Sequence, residues 1–244
     1  GFVKTAGKET KREIQENYPL TNTQEGIFIE CTANMGSTIY NIPYLLKLDK
    51  KVDLDKLAEA IDSTVAAHPY LKTRLFMDDN GNVLQKRNDG LSYKTPILNG
   101  MNRDTLVRPY MLFNEQLFRF EIHRTCDGNY LFLDIHHIVA DGTSLGIILN
   151  DINRAYSGEK LEVEEYTSYD LALDNRDALA SDAYKNAENY YKSVFENAGG
   201  SINFYPDKSG AAPTAEMYHR ETSEFSVQDV KAFCKKHGIT ENVF

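Results

Sequence analysis

The sequence predicts an α+β fold in which a mostly antiparallel or mixed β-sheet packs against helices. Three observations carry this expectation. Two strand pairs are joined by short turns, one at Asp79-Asn80-Gly81 and one at Cys126-Asp127-Gly128-Asn129. Apolar residues recur at helical spacing in separate segments, most clearly at Leu54, Leu57, Ala58, Ile61 and Val65. A strand ending in two adjacent histidines runs through a short loop into another helix.

The first 16 residues, GFVKTAGKETKREIQE, are charge-rich with no apolar period, and they read as a linker. Thr21 or Thr23 then caps a short helix bearing Gln24, Ile27, Phe28 and Cys31. Thr38 to Leu48 is rich in β-formers and reads as a strand. Asp53 opens the next helix and Pro69 stops it. Thr73 to Met77 and Val83 to Lys86 form the first hairpin, Leu117 to Arg124 and Tyr130 to Ile138 the second.

Thr143 or Ser144 is expected to cap the following helix, which carries Leu145, Ile148, Leu149, Ile152 and Tyr156 and ends before Gly158. Residues 159–182 show no single pattern. Tyr184, Ala187, Tyr191, Val194 and Phe195 mark another amphipathic helix, and residues 201–215 read as a connector. A strand near 218–225 and a helix opened by Ser226 and closed by Gly238 complete the pattern. Ile239, Val243 and Phe244 begin a further apolar element, so the chain is expected to be cut from a longer one.

A net charge of −9 argues against a broad nucleic-acid surface, which needs a basic footprint. No apolar stretch is long enough to span a bilayer, and Gly1 to Asn17 is too polar for a signal peptide, so a cytoplasmic protein is expected. Cys31, Cys126 and Cys234 are odd in number and form no metal-type pair; each reads as a small, semi-buried thiol.

The chemistry centres on Tyr130 to Ser144. In a strand, His137 shares a face with Leu131, Leu133 and Ile135, and His136 shares the other with Phe132 and Asp134. A histidine on the apolar face can stay neutral and accept a proton near pH 7. Asp141 can fix the loop by an ion pair or cap, and Gly142 permits close backbone approach. Three readings stay open on residue chemistry alone: a structural His-His pair, a catalytic base, and a metal site through His136, His137 and Asp141. Adjacent strand histidines point to opposite faces, which makes joint ligation awkward.

Ile135-His136-His137-Ile138-Val139-Ala140-Asp141-Gly142-Thr143-Ser144 closely resembles the active-site motif of condensation domains of nonribosomal peptide synthetases. Tyr18-Pro19-Leu20-Thr21-Asn22-Thr23-Gln24-Glu25-Gly26 resembles the family's opening motif. His68-Pro69-Tyr70-Leu71-Lys72-Thr73-Arg74-Leu75-Phe76 resembles its second motif, and Tyr169-Asp170-Leu171-Ala172 its fourth. Four blocks in order are far more specific than one.

The resemblance implies a chloramphenicol-acetyltransferase-like lobe. Residues 1–16 would be a linker, 17–180 the N-terminal lobe, 181–214 a helix and connector, and 215–244 the start of a second lobe. It implies amide formation between two thioesters held on the phosphopantetheine of donor and acceptor peptidyl carrier proteins, with no cofactor or metal bound directly and with no nucleic-acid or membrane partner. His137 would be catalytic; His136, Asp141, Gly142 and Arg74 would support the site.

Two positions depart from the family's second motif, Ala67 and Lys72 standing where arginines are usual. Arg74 is the nearby residue able to compensate as partner of Asp141, because lysine does not reproduce a bidentate guanidinium contact. Related alternatives are an epimerisation domain or an O-acyltransferase of the same superfamily, and a non-catalytic carrier-docking lobe. The missing C-terminal lobe and neighbouring synthetase domains are the other expected partners, and the isolated chain is expected to be inactive.

Overall fold

A computed structural model of the chain describes residues 12–113, 115–196 and 226–241. Two compact units divide the chain, Gly1–Glu196 and Asn197–Phe244. In the first, the strands are β1 (Asn17–Pro19), β2 (Asn41–Lys47), β3 (Arg74–Met77), β4 (Val83–Lys86), β5 (Ile97–Asn99), β6 (Phe118–Thr125) and β7 (Gly128–His136). Its helices are α1 (Asn22–Ala33), α2 (Leu54–Ala67), α3 (Gly142–Tyr156), α4 (Ser168–Leu179) and α5 (Asp182–Phe195). The second unit contributes α6 (Val227–His237). The strand expected near 218–225 and the 201–215 connector lie outside the described residues.

The expected α+β class holds, with one antiparallel and one mixed sheet. The smaller sheet has the order β1-β4-β3; the larger has the order β2-β7-β6-β5, antiparallel except for the parallel β5–β6 pair. On one face of the large sheet Phe118, Phe120 and Ile122 lie opposite Ile135, Leu133 and Leu131. These six side chains join Leu57, Ile61 and Val65 of α2 and Ile148 and Ile152 of α3 in the main core. Full burial of such side chains contributes roughly 1.5–3 kcal/mol each, which makes this layer the chief source of cohesion.

Local chemistry explains the helix ends. Thr21 caps α1 in a reciprocal box with Gln24. Asp53 caps α2 through the N–H groups of Asp55 and Lys56, and Pro69 follows its last turn. Ser226 caps α6, and Gly238 closes it in the left-handed conformation at φ 63°. α3 departs from expectation: Asp141 is its cap, in a box with Ser144, rather than Thr143 or Ser144. Its carboxylate reaches forward to accept from the third helical N–H, that of Ser144, and the Ser144 hydroxyl accepts in return from the Asp141 N–H. The thiols also differ, because only Cys31 is half-buried, whereas Cys126 sits exposed in the β6–β7 turn and Cys234 is buried on α6.

Separated sequence blocks meet in this fold. Tyr18 stacks on the fully buried Tyr169 at 4.7 Å, and the Tyr169 hydroxyl lies 2.6 Å from Thr73 Oγ1. Arg12 pairs with Asp174 and Asp177 of α4, and Glu16 with Lys86 of β4.

His68, buried at the end of α2, sits between two carboxylates: Nε2 lies 3.0 Å from Asp151 Oδ2, and Nδ1 lies 3.3 Å from Glu164 Oε2. Burial opposes its protonation, but the hydrogen bonds and charges of Glu164 and Asp151 together raise its pKa. A raised folded-state pKa stabilises the protein fully below the unfolded value, about 6.5, and the contribution is lost as pH rises through the folded value. Melting temperature is therefore expected to fall above pH 6.5 more steeply in the unaltered chain than in His68→Gln. A pH series of thermal melts checks this, and parallel curves would contradict it.

Candidate active site

The two histidines sit at the C-terminal end of β7, and their environments are opposite to a simple reading of strand alternation. His136 is buried and His137 is exposed. The cause is that β7 ends at His136. The Val139 N–H donates to the His136 carbonyl at 3.0 Å, closing a turn that carries His137 away from the core face. The expectation that His137 packs with Leu131, Leu133 and Ile135 is therefore corrected.

Hydrogen bonds define His136. The Ile138 N–H donates to its Nδ1 at 3.1 Å, so the proton of the neutral ring resides on Nε2, which faces Cys31 Sγ at 3.6 Å. Burial, followed by the charges of His137 and Arg119, lowers its pKa to about 4, so the ring is neutral near pH 7. The Tyr110 ring stands nearly perpendicular to it, the ring centroids 5.6 Å apart. His136 is thus a structural brace for the turn.

Beneath His136 lies a buried ion pair. Arg119 Nη1 contacts Asp134 Oδ2 at 3.2 Å, and Asn41 Nδ2 donates to the same oxygen at 2.8 Å. The guanidinium lies 3.6 Å from the Tyr110 ring centroid and donates to the carbonyls of Arg108 and Pro109. Burial raises the pKa of Asp134 against the pull of Asn41 and Arg119. Its Oδ1 has no hydrogen-bond partner among the described residues.

The His137 backbone N–H donates to the Tyr40 carbonyl at 2.7 Å, and its ring stands edge-on to Tyr40 at 6.3 Å. Asp141 Oδ1 accepts from the Ser144 N–H and hydroxyl, both at 2.8 Å. These bonds, with help from Thr143 and the nearby His137, hold its pKa below the usual carboxylate range. Asp141 therefore fixes the loop as a helix cap. Asp141→Ala is expected to lower stability by about 1 kcal/mol. Urea denaturation of the chain measures this, and a loss below a few tenths would show that the cap is dispensable.

A Cβ added to Gly142 would meet no atom within 4 Å, and the residue does not adopt a positive φ. Neither backbone conformation nor packing within this lobe demands glycine there. Lys72 is buried and reaches the Asp89 carbonyl at 3.3 Å, and Arg74 is half-buried at the start of β3. Among the described residues no group of three or more His, Cys, Asp or Glu side chains is placed to hold a metal ion.

Sequence reasoning missed Arg119, Tyr110, Asn41 and Gln85 as supports of the histidine turn. The hairpin register of the structure places Arg119 directly opposite Asp134, two residues from where the expected four-residue turn would set it.

Comparison with known proteins agrees with the motifs. A family model described as Condensation domain matches residues 14–244. Bacitracin synthase 2 of Bacillus licheniformis is 27% identical over 244 residues, covering 94% of this chain and 9% of that protein. Tyrocidine synthase 3 of Brevibacillus parabrevis is 27% identical over 220 residues, covering 85% of this chain and 3% of that protein. The chain thus spans a small fraction of these relatives.

The solved condensation domain from Monacolin K polyketide synthase MokA has a TM-score of 0.74 at 17% identity, covering 94% of this chain and 57% of that one. The starter condensation domain of rhizomide synthetase RzmA has a TM-score of 0.62 at 16% identity, covering 76% and 49%. These likenesses establish the fold of an N-terminal condensation lobe, about half of a complete domain, and with the family match they show that this chain belongs to the condensation-domain family.

Proposed function

We propose that this chain is the histidine-bearing half of a nonribosomal peptide synthetase condensation domain, joining a carrier-bound donor acyl or peptidyl thioester to the amine of a carrier-bound acceptor aminoacyl thioester. The observation that carries this reading is the contrast between the two rings: His136 is consumed by structure, while His137 is exposed on a backbone held by hydrogen bonds.

The acceptor α-amine attacks the donor thioester carbonyl, forming the C–N bond and a tetrahedral intermediate. His137 takes or orients the amine proton. Collapse of the intermediate breaks the C–S bond, and the donor phosphopantetheine leaves as a thiol carrying that proton. Help of this kind contributes roughly 10² to 10⁴ in rate, and holding the two thioesters together contributes at least as much. Gly142 leaves the space that a substrate would occupy, and Asp141 holds the loop that presents it.

Residues 17–180 would form the N-terminal lobe and residues 215–244 the start of the second lobe of a cytoplasmic synthetase. Donor and acceptor carrier proteins, the C-terminal lobe and neighbouring synthetase domains would be its partners. No helix among the described residues is long and apolar enough to cross a membrane.

The test is to incubate loaded donor and acceptor carriers with a complete domain containing this chain, and separately with the 244-residue chain. Amide product is expected from the first and none from the second. No product from a folded complete domain with any loaded pair would defeat the reading.

A further inference from the structure

We infer that Gln24 and Gln85 form an amide clasp that positions His137, with Gln24 holding the catalytic turn by the carbonyl of the next residue. The inference rests on the reading of His137 as the acting group. Gln24 Nε2 donates to the Ile138 carbonyl at 2.9 Å, although 114 positions separate the two residues. The two amides face each other, with Gln24 Nε2 3.2 Å from Gln85 Oε1 and Gln85 Nε2 3.1 Å from Gln24 Oε1. Gln24 Oε1 also accepts from the Thr21 N–H at 2.9 Å, and Gln85 Nε2 donates to the Pro19 carbonyl at 2.8 Å.

Every donor and acceptor site of the Gln24 amide is therefore used, and both side chains are buried, Gln85 completely. A buried, fully satisfied polar network specifies one arrangement, because a rotated amide would leave several groups unpaired. The clasp joins the start of α1, the small sheet and the histidine turn. Ile138, the residue after His137, is consequently gripped at both of its backbone polar atoms, its N–H by His136 Nδ1 and its carbonyl by Gln24. With the His137 N–H on Tyr40, the backbone beneath the exposed ring has little freedom to shift. A Met would fill the same space without the bonds, so packing alone does not account for two glutamines at these positions.

Gln24→Met in the 244-residue chain tests the clasp without reference to activity. Amide hydrogen exchange at His137, Ile138 and Val139 is expected to quicken about tenfold, while Leu131 and Leu133 in β7 are unchanged. Unchanged exchange at 137–139 overturns the clasp. An equal rise throughout β7 also overturns it, because the pair would then be a general stabiliser.

Gln24→Glu is the second variant, for use if the first does not fold. A protonated carboxyl can donate to the Ile138 carbonyl and an ionised one cannot, so protection of 137–139 relative to the unaltered chain should decline as pH rises. A pH-independent ratio overturns the proposal. In a complete domain, Gln24→Met is expected to lower kcat about tenfold with KM for loaded carriers unchanged, because misplacement affects the reacting geometry more than substrate binding. An unchanged kcat overturns the positioning role. His137→Ala run alongside separates the two readings: if it retains full activity the functional reading fails, and the exchange data still decide the clasp.

Discussion

Replacing His137 with Ala in a complete domain that contains this chain is expected to lower amide formation by about 10² to 10⁴ while leaving the fold intact. The expectation follows from where the ring stands. His137 is exposed, and the turn is braced by the His136 ring and by backbone bonds that an alanine would keep. Its loss removes no core packing and leaves no buried polar group unpaired, so the melting temperature should change little.

The kinetic signature should be an equal fall in kcat and kcat/KM, as for an interaction made only in the transition state. His136→Ala should differ in kind. It would empty a buried site and strand the Ile138 N–H, so its main effect is a loss of stability. Single-turnover assays with loaded carriers, read by mass spectrometry beside thermal melts, distinguish the two. Equal rates for His137→Ala and the unaltered domain would remove His137 from the mechanism.

Much of the architecture was legible because it follows local rules. The apolar stripe beginning at Leu54, the caps at Asp53 and Ser226, and the left-handed stop at Gly238 depend on residues within one or two turns. The site was harder to read. Alternation along β7 marks the two faces, yet every residue from Tyr130 to His136 is buried, so face did not predict exposure for a central strand.

The β6–β7 turn supplied a second source of error. A four-residue loop at Cys126–Asn129 would set Arg119 opposite His136. Pairing of Thr125 with Gly128 closes the hairpin across two residues and sets Arg119 opposite Asp134. The Gln24–Ile138 and Tyr18–Tyr169 contacts join distant segments, and no periodicity encodes them. The four motif blocks pointed to the family, but only the fold shows why several of them belong together.

That register makes Arg119→Met the substitution with the largest expected effect on stability, a loss of about 3 to 5 kcal/mol near pH 7. Asp134 is completely buried, and Arg119 provides the opposite charge at 3.2 Å. Removing the guanidinium leaves the carboxylate with Asn41 on Oδ2 and no partner for Oδ1 among the described residues. It also strips the cation from the Tyr110 ring, which packs against His136.

The pH dependence has a definite sign. Burial already raises the pKa of Asp134, and loss of Arg119 would raise it further. A carboxyl with a raised folded-state pKa favours folding below its unfolded value, about 4, and loses that advantage as pH rises through the folded value. The deficit of Arg119→Met relative to the unaltered chain should therefore shrink as pH falls.

The double variant Arg119→Met, Asp134→Leu should recover much of the loss, because it removes the stranded charge together with its partner. Urea denaturation at several pH values gives all three quantities. A single-variant loss below about 1 kcal/mol, or a double variant no better than the single one, would show that the pair does not carry the floor of the histidine turn.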